Sequence, residues 1–126
     1  MLQKLFALLL FASLHAMAAT PAELLAGYTA QAGQPANASK GDAFFKASHG
    51  QEWQCTSCHG KSPMMFGRHA STDKAIEPLA PAANAKRFTD SAKTEKWFRR
   101  NCKDVLAREC TAAEKADVLA WLISVR

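Results

Sequence analysis

Beyond its first twenty residues the chain has no segment apolar and long enough to cross a bilayer, and nowhere does it show the strict alternation of a half-buried strand. With spans and sheets set aside, helices joined by loops remain, and the expected fold class is all-α. No internal repeat marks a second domain. Lys and Arg number sixteen against eleven Asp and Glu, a formal charge of +5, yet no cluster of them forms a basic tract. Such a modest, dispersed excess argues against nucleic acid as a partner. No large apolar stripe is left over for self-association either, so a monomer is expected. Cysteine is scarce, with four residues, and methionine is absent after Met65.

The N-terminus sets the compartment. Lys4 precedes the apolar run Leu5 to Leu14, and Ala16-Met17-Ala18 supplies a small-x-small cleavage pattern, so residues 1–18 are expected to be a signal peptide removed after Ala18. The run is shorter than the about 20 residues of a membrane anchor and has His15 near its end. Residues 19–126 then form one small exported domain, near the lower limit for a self-sufficient apolar core. The expected location is the periplasm, where paired thiols oxidise; a reduced zinc site built from the four cysteines is disfavoured.

Cys55-Thr56-Ser57-Cys58-His59 is the most informative segment. C-x-x-C-H is the pattern of covalent haem attachment in c-type cytochromes. On a helical turn, Cys55 and Cys58 lie on one side and can reach the two vinyl groups of one porphyrin, while His59 offers its imidazole to the iron. Without haem, Cys55 and Cys58 would be a thiol redox pair, a reading weakened by the lack of any βαβ pattern.

Around this peptide the periodicity predicts four helices. Thr20-Pro21-Ala22-Glu23 opens the first, broken by Gly33 to Asn37. The second runs from about Ser39 through Phe44 and Phe45 toward His49, with Gly41 on a close-packing surface. Gly60 to Asn84 has little periodicity and suits a segment wrapping a porphyrin edge. A third helix spans Asp90 to about Val105 with Trp97, Phe98 and Asn101 facing inward. Thr111 to Glu114 is a capping box opening the last, whose inner stripe is Ala116, Leu119, Trp121 and Leu122 or Ile123. Trp97 and Trp121 are both expected in the core.

The sixth iron ligand decides function. Electron-carrying c cytochromes use a distant downstream methionine, and here there is none. Met64 and Met65 follow His59 so closely that the chain would have to stretch almost fully around the porphyrin, which favours a packing role. His69 is a conventional candidate, set in a loop; His49 is expected to end a helix near the haem rim. If His69 or Met64 is the ligand, the protein is a closed, low-spin electron carrier. The remaining candidate lies at Arg99-Arg100-Asn101-Cys102. In an oxidising compartment Cys102 is expected to pair with Cys110, a staple of about 2.5 kcal/mol on the chain-entropy scale that also fixes the residue before Cys102.

Here the chain closely resembles the sphaeroides haem protein (SHP) family of class I c-type cytochromes. The likeness spans Thr20 to Gly33, the haem peptide, Ile76-Glu77-Pro78-Leu79-Ala80-Pro81, Arg87-Phe88-Thr89-Asp90-Ser91, Glu95-Lys96-Trp97, Arg100-Asn101-Cys102, and Cys110 to Leu122. The resemblance implies a single covalent haem c, His59 as proximal ligand, and Asn101 as a ferric-state ligand that leaves on reduction. It also implies an electron supply from a dihaem cytochrome c connected to a membrane b-type cytochrome. A related group with the same disulfide has a detachable histidine at the place of Asn101. Residues 49–68, apart from the haem peptide, depart most from the family pattern, notably at Trp53 and Met64-Met65-Phe66. An amide oxygen is a hard, neutral, weak-field donor that ferric iron tolerates and ferrous iron does not favour. Its release would admit O2, NO or CO, with Arg99 or Arg100 as sources of nearby positive charge. Turnover as an oxidase or in NO detoxification stays open, since no residue outside the haem pocket looks catalytic.

Overall fold

Thr20 opens the first helix through a reciprocal cap: its hydroxyl accepts the Glu23 N–H at 3.2 Å, and its own N–H donates to the Glu23 carboxylate at 2.7 Å. Helix α1 (Pro21–Ala32) stops where Gly33 turns left-handed at φ 66°, a conformation that favours glycine. These features belong to a computed structural model that describes residues 18–126. The apolar run of the expected signal peptide lies outside those residues.

Asn37 caps α2 (Ala38–Lys46) by accepting the Lys40 N–H at 3.0 Å. This helix ends three residues before the predicted His49. Ala47 is already extended, and His49 Nε2 donates at 2.9 Å to the carbonyl of Phe44, one of the acceptors a helix end leaves open. The haem peptide forms the short α3 (Cys55–His59). After it, β1 (Gly67–Arg68) pairs antiparallel with β2 (Ala75–Ile76), Gly67 opposite Ile76. Two-residue strands are too short to show alternation, so the sequence shows no sign of this ladder. Asp90 caps α4 (Ser91–Leu106), and the Thr111–Glu114 capping box opens α5 (Ala112–Ser124) as predicted. Helices dominate, and no described helix is long and apolar enough to cross a membrane.

Helix α5 is the central element. On one side Ala116 and Leu119 pack with Tyr28 of α1; on the other Val118 and Leu122 pack with Phe45 of α2. Gly41 makes the second contact possible: a Cβ there would run into the Asp117 carbonyl and the Val118 amide. The predicted stripe on α5 is buried at Ala116, Leu119 and Leu122, and Trp121 is half-buried against Phe45, ring centroids 5.0 Å apart.

Helix α4 is held differently. No comparably close backbone approach joins it to another described element. It is tied by side chains: Phe98 meets Tyr28 edge-to-face at 5.7 Å, Lys115 pairs with Glu95 at 3.0 Å, and the Cys102–Cys110 disulfide anchors its last turn. Trp97 departs from expectation. It is 42% exposed, because Phe98 takes the inward position and Trp97 falls on the solvent side of the helix.

Two outcomes follow. Gly41→Ala should lower folding stability by about 2 kcal/mol or more, since the obstacle is backbone and cannot rotate away; unchanged denaturant midpoints would place the α2–α5 contact elsewhere. Burial raises the Glu95 pKa, but the Tyr28 hydroxyl and the Lys115 and Arg99 charges outweigh it, and the carboxyl is held below its ordinary value of 4.5. A carboxylate depressed by folding stabilises the native state above its unfolded pKa, and that stability is lost as pH falls through the folded value. Melting temperature should therefore drop with pH below about 4.5, with a shallower slope in Glu95→Gln. Identical slopes in both proteins would remove Glu95 from the acid response.

Candidate haem site

One short turn presents the three residues of the C-x-x-C-H segment. Gln54 N–H donates to Ser57 Oγ at 3.0 Å and Gln54 Nε2 to Thr56 Oγ1 at 2.7 Å, winding Cys55 to His59 into helix; Gly60, at φ 70°, ends it. Gly67 of β1 lies so close to the Cys58 carbonyl that any side chain there would collide with it. The following segment donates the Ala70 N–H toward Cys58 Sγ at 3.3 Å. The β1–β2 ladder thus braces α3 from one side, and Phe45 of α2, 6.0 Å from the His59 ring, supports it from the other.

Both thiols are half-buried and unpaired, and Cys55 lies against the apolar cluster of Phe45, Val118 and Leu122. Burial, with a lesser effect of Cys58, pushes the Cys55 thiol up to about 11. A thiol this reluctant to ionise is a poor redox nucleophile, which weakens the dithiol alternative. Burial first, and then the charge of Arg87, pushes His59 down to about 4, so its imidazole is neutral and has a lone pair to give. Arg87 is held by donating Nε to the Pro78 carbonyl at 2.8 Å and Nη2 to the Glu77 carbonyl at 2.7 Å. Further N–H groups of its guanidinium remain for an acidic group such as a porphyrin propionate. Nothing in the motif announces Arg87; its only signal is its place in a segment shared with the SHP family.

Two unpaired thiols one turn apart, a neutral imidazole beside them and an apolar wall behind them suit a covalently bound haem c. Among the described residues, no group of three or more His, Cys, Asp and Glu side chains is placed to hold a metal ion by itself, and Cys102 and Cys110 are joined as a disulfide.

Of the sixth-ligand candidates, His69 is already engaged. Its Nδ1 accepts the backbone N–H groups of Ser71 at 3.3 Å and Thr72 at 3.2 Å, and its ring meets Trp53 at 6.2 Å. With Nδ1 accepting, the neutral ring carries its proton on Nε2, so neither nitrogen has a free lone pair. Met64 is half-buried, and Met65 and Phe66 are 65% and 68% exposed. Asn101 is half-buried on α4, three residues after Phe98, and its amide makes no hydrogen bond among the described residues. His49 is tied to Phe44 and stacks on its ring at 4.5 Å.

Helices packed on α5 around such a cysteine-histidine turn define a small class I cytochrome c. Comparison with known proteins narrows this. Residues 31–122 match the family described as a domain of unknown function, DUF1924. The chain is 50% identical over 107 residues, 82% of each protein, to the cytochrome c-type protein SHP of Cereibacter sphaeroides. It is 44% identical over 80 residues to cytochrome c'' of Methylophilus methylotrophus, covering 64% of this chain and 56% of that protein. A solved structure of oxidised SHP, described as an oxygen-binding cytochrome c, superposes with a TM-score of 0.81 at 48% identity, covering 86% of this chain and 99% of that one. The crystal structure of oxidised cytochrome c'' gives 0.72 at 35% identity, covering 84% and 94%. The chain belongs to the SHP family of c-type cytochromes. Membership implies a covalent haem c.

Because its lone pair caps a turn, His69 is expected to be dispensable to the iron. His69→Ala should leave ferric and ferrous visible spectra unchanged; loss of a low-spin signature in that variant would make His69 the ligand after all.

Proposed function

We propose that the protein is an exported, periplasmic monohaem cytochrome c that binds a diatomic gas after reduction. When bound, the haem would supply a redox-active iron able to take a gas. Cys55 and Cys58 would hold it through thioethers, His59 would give its neutral imidazole to the iron, and Arg87 would pair with an acidic group of the porphyrin. Asn101 would offer its side-chain oxygen to ferric iron and give way to O2, NO or CO once the iron is reduced.

The observation that supports this reading is the state of Asn101. Its amide is half-buried on the inward side of α4, beside a disulfide cysteine, with no hydrogen-bond partner among the described residues. The amide is not fully enclosed, and its oxygen is held by no neighbour and is available to a ligand. As a hard, weak-field donor, that oxygen suits ferric iron and yields when the iron is reduced. Once free, the amide N–H can donate to an incoming ligand. Arg99 is engaged with Glu109 at 3.5 Å and Arg100 lies over Trp97, so Asn101 is the polar group of this turn best suited to a distal role.

The electron comes, on this reading, from a dihaem cytochrome c linked to a membrane b-type cytochrome. The SHP of the solved structure is described as oxygen-binding, which favours O2 as the first gas to test.

The test is the visible spectrum of the holoprotein, ferric, then ferrous, then ferrous under carbon monoxide. A high-spin ferrous form that shifts on adding the gas is expected. Asn101→His should turn the ferric form low-spin and weaken the gas response. An unchanged ferric spectrum in that variant would take Asn101 off the iron.

A further inference from the structure

The solvent side of α4 carries Lys93, Lys96, Trp97, Arg100, Lys103 and Asp104, which share one face by helical spacing. All but Asp104 are basic or aromatic. Trp97 is 42% exposed and lies under two cations, Arg100 with its guanidinium carbon 5.2 Å from the ring centroid and Lys96 with Nζ at 5.7 Å.

Elsewhere in the fold, Lys46 pairs with Asp42, Arg68 with Asp73, Arg99 with Glu109, Arg108 with Glu114 and Lys115 with Glu95, and unpaired cations such as Lys40, Lys61 and Lys74 lie on separate segments rather than on one helix face. Among the described residues, Lys93, Lys96, Arg100 and Lys103 have no ion pair. An unpartnered ring of charge around an exposed aromatic is the composition of a recognition surface, where Trp and Arg anchor and the charge steers.

We propose that this face docks an acidic electron-donor protein, with Trp97 as its central apolar contact and Lys93, Lys96, Arg100 and Lys103 as the surrounding charge. The inference rests on the function proposed above, which places the redox site beneath Asn101. Asn101 follows Trp97 by four residues, so a donor seated on Trp97 sits one helical turn from that position. Charge selects the partner. A second copy of this chain would bring like charge against like, and one exposed aromatic is a thin foothold for a lipid surface.

The test uses the full-length holoprotein and two reductants: reduced flavodoxin, an acidic one-electron donor protein, and reduced riboflavin, which is small and uncharged. In Lys93→Glu/Lys96→Glu/Lys103→Glu, reduction by flavodoxin should slow about tenfold or more at low salt, and the gap should close near about 0.5 M salt, while the riboflavin rate is unchanged. Trp97→Ala should slow the flavodoxin reaction severalfold without altering its salt slope. Equal flavodoxin rates in wild type and the charge-reversed variant at low salt would overturn the proposal. So would loss of sedimentation with phosphatidylglycerol vesicles in that variant while its flavodoxin kinetics stay normal, which would assign the face to membrane. The carbon monoxide response of each variant is read in parallel. Normal gas binding with normal flavodoxin rates sinks the docking surface alone, whereas a ferrous wild type that ignores the gas sinks the reading of Asn101.

Discussion

The approach of Gly41 to the Asp117–Val118 peptide is the constraint on which the rest of the fold is hung. By letting the backbones of α2 and α5 nearly touch, it brings Phe45 onto Val118 and Leu122, and Phe45 in turn stands behind His59 and Trp121. A side chain at position 41 would push α2 away and carry Phe45 with it. The haem peptide needs this support because a five-residue helix has too few internal hydrogen bonds to persist unaided. Its geometry comes from Phe45 on one flank and the β1–β2 ladder on the other.

Helix α4 is built on the opposite principle. It depends on side-chain ties at three points along its length, Glu95 to Lys115, Phe98 to Tyr28, and Cys102 to Cys110. Only the last is covalent, and it immediately follows Asn101. The helix can therefore present a side chain inward with little backbone contact around it, while its outer face stays free for charge.

Much of the helical frame was legible in the sequence because caps and periodicity are local. Thr20, Gly33, Asp90 and the Thr111–Glu114 box all behave as their residue types dictate. What could not be read was set by the folded geometry rather than by residue type or periodicity. The end of α2 depends on a hydrogen bond from His49, the ladder between residues 67 and 76 on strands too short for a pattern, and the exposure of Trp97 on Phe98 winning the inward position. At the site, C-x-x-C-H named its own three residues, whereas Arg87 reaches it through backbone carbonyls of a loop with no periodicity. The turn that occupies His69 needs Ser71 and Thr72 folded back onto the ring, which no motif encodes.

A weak ligand demands more of the protein than a strong one does. A histidine or methionine holds its place by the strength of its own bond to iron, so the surrounding helix can be loose. An amide oxygen cannot, and its occupancy depends on how closely the chain confines it near the site. Under the proposed reading this is why the disulfide is placed beside Asn101 rather than elsewhere on α4. After release the amide stays tethered, and its return on oxidation is an intramolecular event at high effective concentration. On that reading the competition between Asn101 and a gas would follow the oxidation state of the iron, with the position of the helix held constant. A looser α4 would blur that contrast, since the ligand would be partly absent from the ferric form as well. Under the same proposal, the Cys102–Cys110 tie would hold Asn101 in place while the outer face of the helix meets a donor.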